Sequence, residues 1–129
     1  LEYGKKDLII IEGQGSLLHP GSTATLPLIR GSCPTHLVLC HRAEKQNLRY
    51  PENIRIPNLK KFIELNQNLA HVFGAFPKSK CIGVSLNTSK LNKKAAQKVI
   101  DETKKITGLP VTDPVRFGVE KICRSLLTS

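Results

Sequence analysis

The 129-residue sequence contains no methionine and no tryptophan, and aromatic residues make up only 5% of it. So few aromatic side chains leave little surface on which nucleic-acid bases could stack. No apolar run approaches the roughly 18 residues that span a bilayer, and the first residues lack the pattern of a signal peptide. Because Leu1 cannot be a translation start, we expect further residues upstream. These absences predict a cytoplasmic protein that does not interact with membranes.

The four cysteines form no C-x-x-C pair, which argues against a metal knuckle or a dithiol redox motif. They lie far apart, at Cys33, Cys40, Cys81 and Cys123. We expect them to be buried thiols of a cytoplasmic protein.

Positive charge is in excess, with 20 Lys and Arg against 10 Asp and Glu, a net charge of +10 and a pI near 9.7. Such a balance favours anionic partners, either nucleic acid or nucleotide phosphates. The basic residues nevertheless extend from Lys5 to Arg124 without a concentrated patch. A solvated surface therefore explains most of the charge.

Short apolar runs predict the strands of a parallel sheet. Residues 7–12 contain a short continuous apolar run that is rich in β-branched residues and closed by an acid, and residues 36–40 and 81–86 repeat the pattern. Residues 110–112 are a weaker fourth candidate. Each run ends in polar residues, as buried parallel strands commonly do.

Helical spacing appears between these runs, which predicts three helices. The first covers residues 59–73. The second begins after Asn92 as N-cap, and its predicted inward residues are Ala95, Ala96, Val99, Ile100 and Ile106. The third begins after Asp113 as N-cap with Pro114 first in the helix, and its predicted inward stripe is Val115, Val119, Ile122 and Leu126.

Alternating strands and helices predict the α/β class, with a three-layer parallel sheet flanked by helices in one domain over residues 1–129. Residues 42–57 lack a clear period and are predicted to form an extended surface loop. Ligands of such sheets bind beyond the carboxyl ends of the strands, so the residues after each strand are the candidate site.

The turn after the first predicted strand is the leading candidate. Glu12 is placed to hold magnesium, directly or through water, and Gly13 and Gly15 let the backbone approach a ligand. Gln14 and Ser16 lie in the same turn. The alternative is an ordinary glycine turn with a solvated glutamate.

Further candidates follow from their positions along the chain. His19 could act as a general acid or base or bond its own loop, and His41 with Arg42 could contact an anion or serve the structure. The end of the strand at 81–86 and the last helix start contribute Asn87, Thr88, Asp113 and Pro114. Helix capping by itself would explain Asp113.

Together these motifs resemble the C-terminal domain of the DgcN family, which was long known as a domain of unknown function and includes a D-glutamate N-acetyltransferase. The stretches that carry the resemblance are Glu12-Gly-Gln-Gly-Ser-Leu-Leu-His-Pro20, Arg30-Gly-Ser32, His36-Leu-Val-Leu-Cys-His41, Ile56-Pro57, Leu86-Asn-Thr88 and Gly108-Leu-Pro-Val-Thr-Asp-Pro-Val-Arg-Phe-Gly118.

The resemblance implies a Rossmann-like domain followed by a P-loop-type domain similar to dethiobiotin synthetase. By this resemblance Glu12 is the acid of the magnesium-binding turn, and Asn87 and Pro114 lie where a nucleotide base is held. Arg42 departs from the pattern, since an acidic residue is expected there. The chain contains no G-x-x-x-x-G-K-S/T, so the phosphate-binding loop is expected upstream and residues 1–129 are expected to be the C-terminal portion of a P-loop NTPase-like domain.

Three functions stay open. The first is a nucleotide-binding P-loop-type enzyme that acts on a small molecule with Mg²⁺ and ATP or another nucleotide. The second is N-acetylation of D-glutamate with acetyl-CoA, and the third is a basic nucleic-acid-binding module, against which the fold argues. The expected partners are a small-molecule substrate, the upstream part of the same protein and further copies of the chain. By itself the chain is expected to be inactive.

Overall fold

The computed structural model describes residues 7–129, which form a three-stranded parallel sheet with helices packed on it. In chain order the elements are α1 Thr25–Ser32, β1 His36–Arg42, α2 Leu59–His71, a 3-10 turn Val72–Gly74, β2 Lys80–Asn87, α3 Lys93–Thr107, β3 Val111–Thr112, α4 Pro114–Phe117 and α5 Glu120–Leu127. The predicted α/β class and parallel sheet are confirmed.

The strand order β1-β2-β3 places β2 at the centre of the sheet. β1 pairs with β2 as far as Arg42 and Asn87. β3 pairs with β2 on its other side, as far as Thr112 and Ser85. Because all pairs are parallel, the carboxyl ends of the three strands meet at one edge. This edge brings together residues that lie up to 70 positions apart along the chain.

Different helices pack on the two faces of β2. Val84 is fully buried and belongs to a core cluster with Ile63 of α2 and Ile100 of α3. The preceding residue, Gly83, faces Ile122 of α5, and a Cβ there would lie 2.9 Å from the Ile122 side chain. Glycine therefore lets α5 approach the sheet closely.

Local signals placed the predicted helices well at their starts. The Asn92 side chain accepts a hydrogen bond of 2.9 Å from the backbone N–H of Ala95 at the start of α3. That helix ends at Gly108, whose φ of 71° is left-handed. Residues 42–57 contain one isolated β-bridge, between Asn47 and Arg55, and otherwise form the predicted loop.

The prediction of a strand at residues 7–12 is wrong. These residues pair with none of the described strands, and the four apolar side chains from Leu8 to Ile11 are between 42% and 84% exposed. β-branched composition suits a segment to a sheet, whereas a strand also needs a neighbour for its backbone N–H and C=O groups. None of β1, β2 and β3 supplies that neighbour.

The last predicted helix is two helices. Gly118, with φ of 74° and ψ of −179°, separates α4 from α5. The chain changes direction there, so the predicted inward residues do not lie on one continuous helix face. Val115 is therefore 95% exposed and Val119 47% exposed, while Ile122 is buried as predicted. Ile106 of α3 is also 49% exposed, against expectation, because it lies in the last turn beyond the core.

Two further findings differ from the sequence analysis. α1, at Thr25–Ser32, follows a glycine-rich loop and had no predicted counterpart. Of the four thiols only Cys81 is buried, so the expectation of buried cysteines is wrong for the other three. Within residues 7–129, no helix is both long and apolar enough to cross a bilayer.

Candidate functional site

A cleft of about 460 Å³ opens at the edge where the three strands end. Its lining comes from the ends of β1 and β2 and from the start of α4, namely Cys40, His41, Arg42, Ser85, Leu86, Asn87, Ser89, Asp113, Pro114, Val115 and Arg116. This is the position at which open parallel sheets bind ligands. We call it the edge cleft.

A larger hollow of about 1120 Å³ runs along the lysine-rich face of α3. Its lining includes Lys94, Lys98 and Lys105, whose side chains are exposed. Lys98 forms an ion pair with Glu102 at 3.9 Å along the same helix. This hollow is a solvated helix face, and the edge cleft is the better-formed candidate site.

Asp113 joins the two sides of the edge cleft. It is only 3% exposed, and one carboxylate oxygen accepts hydrogen bonds from the backbone N–H, at 3.0 Å, and the hydroxyl of Thr88. The other oxygen accepts the N–H groups of Val115 and Arg116 at 3.0 and 3.2 Å. Asp113 is thus the N-cap predicted from sequence, and its side chain also links the start of α4 to the turn after β2.

These hydrogen bonds decide the ionisation of Asp113. Burial alone would raise the pKa of the carboxyl, but the bonds from Thr88, Arg116 and Val115 outweigh it and hold the pKa below its ordinary value. The carboxylate is therefore ionised at neutral pH. Four neutral donors satisfy its oxygens, and the carboxylate keeps its negative charge at the edge cleft.

His41 lies in the edge cleft near the end of β1 and is half-buried. Burial lowers the pKa of its imidazole, because the charged form loses hydration. The ring is therefore mainly neutral at pH 7 and can accept a proton. The neighbouring thiol of Cys40 is exposed and lines the same cleft.

Two arginines line the edge cleft from opposite sides of the turn after β2. Arg42 ends β1, and Arg116 lies in α4, where its guanidinium donates to the backbone carbonyl of Ser89 at 3.4 Å. Within residues 7–129, the ion pair found is that of α3, so neither arginine is neutralised by a carboxylate. The Asn87 side-chain oxygen accepts the N–H of Ser89, which leaves its amide nitrogen free to donate.

The structure separates the predicted site residues into two groups. Asn87, Thr88, Asp113 and Pro114 meet at the edge cleft or directly behind it. The other group forms a loop that leads into α1 and does not line the cleft, namely Glu12, Gly13, Gln14, Gly15, Ser16 and His19. The binding roles assigned to both groups stay predictions.

Internal hydrogen bonds shape the loop before α1. The N–H of Ser16 donates to the hydroxyl of Ser22 at 3.2 Å, and the N–H of Gly21 donates to Nδ1 of His19 at 3.0 Å. Gly15 has a φ of 98°, and a Cβ there would collide with the Ser22 hydroxyl. Here the glycine is required by a tight local turn.

Glu12 is exposed and does not follow a strand. Among residues 7–129, no group of three or more His, Cys, Asp and Glu side chains could hold a metal ion. Mg²⁺ often binds through one or two carboxylates together with waters and phosphate oxygens. One glutamate fits that pattern only in part, because the chain has no phosphate-binding loop.

Arg116 and Cys40 line the cleft although the sequence analysis did not single them out. A signal for Arg116 existed, because it lies three residues after the capping Asp113 in a turn that follows a strand. Cys40 gave no such signal, since it lies within the predicted strand 36–40 and only the pairing of β1 with β2 brings it to the edge.

The parallel sheet, its flanking helices and the polar edge define an α/β domain of the P-loop type. The family described as "Domain of unknown function (DUF1611_C) P-loop domain" matches residues 1–123, and the chain belongs to this family.

Relatives with known names or structures match nearly the whole chain. A D-glutamate N-acetyltransferase of Pseudoalteromonas sp. is 35% identical over 118 residues, and one of Tritonibacter scottomollicae is 33% identical, each alignment covering 91% of this chain. A crystal structure of a DUF1611 family protein from Anabaena variabilis is 48% identical over 92% of the chain, with a TM-score of 0.88. The chain spans about a third of the length of these relatives, 35% of the two transferases and 34% of the crystallised protein.

Proposed function

We propose that this chain is the acceptor-binding part of an N-acetyltransferase that uses acetyl-CoA and acts on the amino group of D-glutamate. The observation that carries the proposal is the edge cleft, where unpaired arginines and a neutral histidine line one small cavity. The names of the two transferase relatives supply the reaction class. From the sequence, a nucleotide-dependent enzyme was the first hypothesis. The names of these relatives favour the second hypothesis, the N-acetyltransferase.

The acceptor must be a free amine, because an ammonium group has no lone pair with which to attack. In the reaction a C–N bond forms to the acetyl carbonyl, the thioester C–S bond breaks, and coenzyme A leaves with the sulfur. The proton from nitrogen needs a base. His41 is neutral at pH 7 and lies in the same cleft as the arginines, which makes it the base of this proposal.

The test uses the longest natural protein that contains this chain, because the relatives are about three times as long. It is incubated with acetyl-CoA and D-glutamate, and free coenzyme A thiol and N-acetylglutamate are measured together. Equal amounts of both products are expected, with much less from L-glutamate. Hydrolysis of acetyl-CoA without N-acetylglutamate would contradict the proposal.

Two histidine variants separate the candidate bases. His41→Asn should lower kcat/KM by about a hundredfold or more, the usual loss for a general base. His19→Asn is the matched control. A loss of activity in His19→Asn but not in His41→Asn would assign the general base to the loop before α1. Because burial lowers the pKa of His41, kcat/KM of the wild type should rise with pH through a midpoint below pH 6.5, as the imidazole loses its proton.

A nucleotide-dependent enzyme is the second candidate, favoured by the P-loop description of the family. In that case ATP with Mg²⁺ would be consumed in the presence of a small-molecule substrate, and Glu12 would hold the metal. Glu12→Gln should then abolish turnover without changing the melting temperature. An acetyl transfer that needs no Mg²⁺ and survives this substitution would reject the second candidate.

A further inference from the structure

Two guanidinium groups line one small cleft, and among the described residues 7–129 neither forms an ion pair with a carboxylate. We propose that Arg42 and Arg116 form a carboxylate clamp that binds the two carboxylates of a small dicarboxylic amino acid. The identity of that amino acid, D-glutamate, rests on the proposed function. The clamp itself rests on the geometry of the edge cleft.

The two arginines bracket the same turn. Arg42 is in register with Asn87 at the ends of β1 and β2, and Arg116 donates to the carbonyl of Ser89 two residues further along. The guanidinium of Arg116 is thus oriented by the backbone of the turn. Asn87, the register partner of Arg42 at the edge, adds an uncharged donor through its amide nitrogen.

Among the described residues 7–129, no ion pair engages the two guanidinium groups of the cleft. The Asp113 carboxylate offsets one of the two positive charges, although its oxygens are already bonded to four donors, and burial keeps His41 neutral at pH 7. The acidic residue nearest to Arg42 in sequence, Glu44, forms no ion pair with it and does not line the cleft. The two arginines outnumber the one carboxylate of the lining, so a bound anion would meet a net positive charge.

The state of the backbone amides favours carboxylates over phosphates. Phosphate sites in α/β domains usually depend on free backbone N–H groups. At the edge cleft those groups are engaged, since Thr88, Val115 and Arg116 donate to Asp113 and Ser89 donates to Asn87. The anion must therefore be bound by the guanidinium groups of Arg42 and Arg116, whose paired N–H donors match the two oxygens of a carboxylate.

The size of the cleft agrees with a small ligand. A volume of about 460 Å³ accommodates an amino acid with several waters, each of which takes roughly 30 Å³ in the liquid. A whole coenzyme would have to extend far outside it. The clamp is therefore assigned to the acceptor.

The experiment measures binding of glutarate, butyrate and inorganic phosphate by calorimetry to the longest natural protein that carries this chain. Glutarate should bind, and butyrate, which lacks the second carboxylate, should bind at least about tenfold more weakly. Arg42→Gln and Arg116→Gln should each weaken glutarate binding about tenfold or more. The matched control is Arg124→Gln on the exposed surface of α5, which should leave binding unchanged.

A second readout does not depend on activity. Cys40 lines the cleft and is exposed, so glutarate should slow its alkylation by iodoacetamide, followed by peptide mass spectrometry. Cys33 and Cys123 are exposed elsewhere and serve as internal controls. Equal protection of all three thiols, or protection of none, would overturn the assignment of the ligand to the edge cleft.

Kinetics separate the clamp from the proposed function. If acetyl transfer occurs, both glutamine variants should raise KM for D-glutamate about tenfold or more and leave KM for acetyl-CoA unchanged. Transfer with an unaltered KM for D-glutamate would reject the clamp and keep the function. Arginine-dependent glutarate binding without any transfer would reject the function and keep the clamp.

Two further results bear on the clamp itself. Tighter binding of phosphate than of glutarate, with the same dependence on the arginines, would overturn it in favour of a phosphate site. Arg42→Lys and Arg116→Lys keep the charge, and partial recovery of glutarate binding in them is expected. A glutamine variant that fails to fold is replaced by its lysine counterpart, for which glutarate binding as tight as in the wild type would reject the clamp.

Discussion

Replacing Asp113 with alanine removes the bond between the turn after β2 and the start of α4. In the wild type the carboxylate accepts two hydrogen bonds from Thr88 and one each from the N–H groups of Val115 and Arg116. Alanine leaves all four donors without this partner. Thr88 is fully buried, so its N–H and hydroxyl have no ready access to water.

The cost can be worked out from these contacts. Loss of an N-cap typically costs about 1 kcal/mol. Leaving the buried donors of Thr88 unsatisfied adds about 1–3 kcal/mol. The free energy of unfolding should therefore fall by roughly 2–4 kcal/mol, a large part of the 5–15 kcal/mol typical of a domain.

Urea denaturation at pH 7, followed by circular dichroism, measures this loss. Asn92→Ala is the matched control, because Asn92 is also an N-cap but is exposed and accepts one bond, from Ala95. We expect the control to cost about 1 kcal/mol. If Asp113→Ala costs no more than Asn92→Ala, the bonds from Thr88 contribute nothing to stability, and Asp113 is only a helix cap.

The remaining predictions concern ionisation, backbone strain and thiol exposure. Because the folded pKa of Asp113 lies below the unfolded value of about 3.9, its stabilisation is complete above that value and is lost as the pH falls through the folded pKa. Denaturation curves between about pH 5 and pH 2 should therefore show a smaller loss for Asp113→Asn than for the wild type. Gly118→Ala should lower the unfolding free energy by about 1 kcal/mol or more, because φ is 74° and a Cβ would collide with Glu120. Gly31→Ala, in helix α1 with open space around it, should instead raise that free energy by up to about 1 kcal/mol, and equal shifts in the two variants would contradict the strain argument. Ellman's reagent should modify Cys81 only on unfolding and the other three thiols in the native state, and rapid reaction of all four would contradict the burial of Cys81.

The edge cleft could be predicted from sequence only in part. The rule that ligands bind beyond the carboxyl ends of parallel strands pointed to Asn87 and Asp113, and both line the cleft. The same rule placed Glu12 in the site, but it depended on a strand at residues 7–12 that the described sheet does not contain. Because one strand assignment was wrong, the predicted site residues from Glu12 to His19 do not line the cleft.

Local chemistry in the sequence by itself determined the starts of α3 and α4 and the class of fold. Asn92 and Asp113 cap their helices through bonds to residues two or three positions away, and such bonds depend on neighbours in the chain. Alternating apolar runs and helical periods likewise indicate parallel strands and crossover helices, because burial follows the period of each element.

Tertiary structure decided the rest, because the contacts involved join distant positions. Thr88 meets Asp113 across 25 residues, and Arg42 shares a cleft with Arg116 only because β1 pairs in parallel with β2. No local pattern states which strands are neighbours or which polar groups satisfy each other. Those relations arise when the sheet forms, and they determine which charges at its edge remain free to bind a ligand.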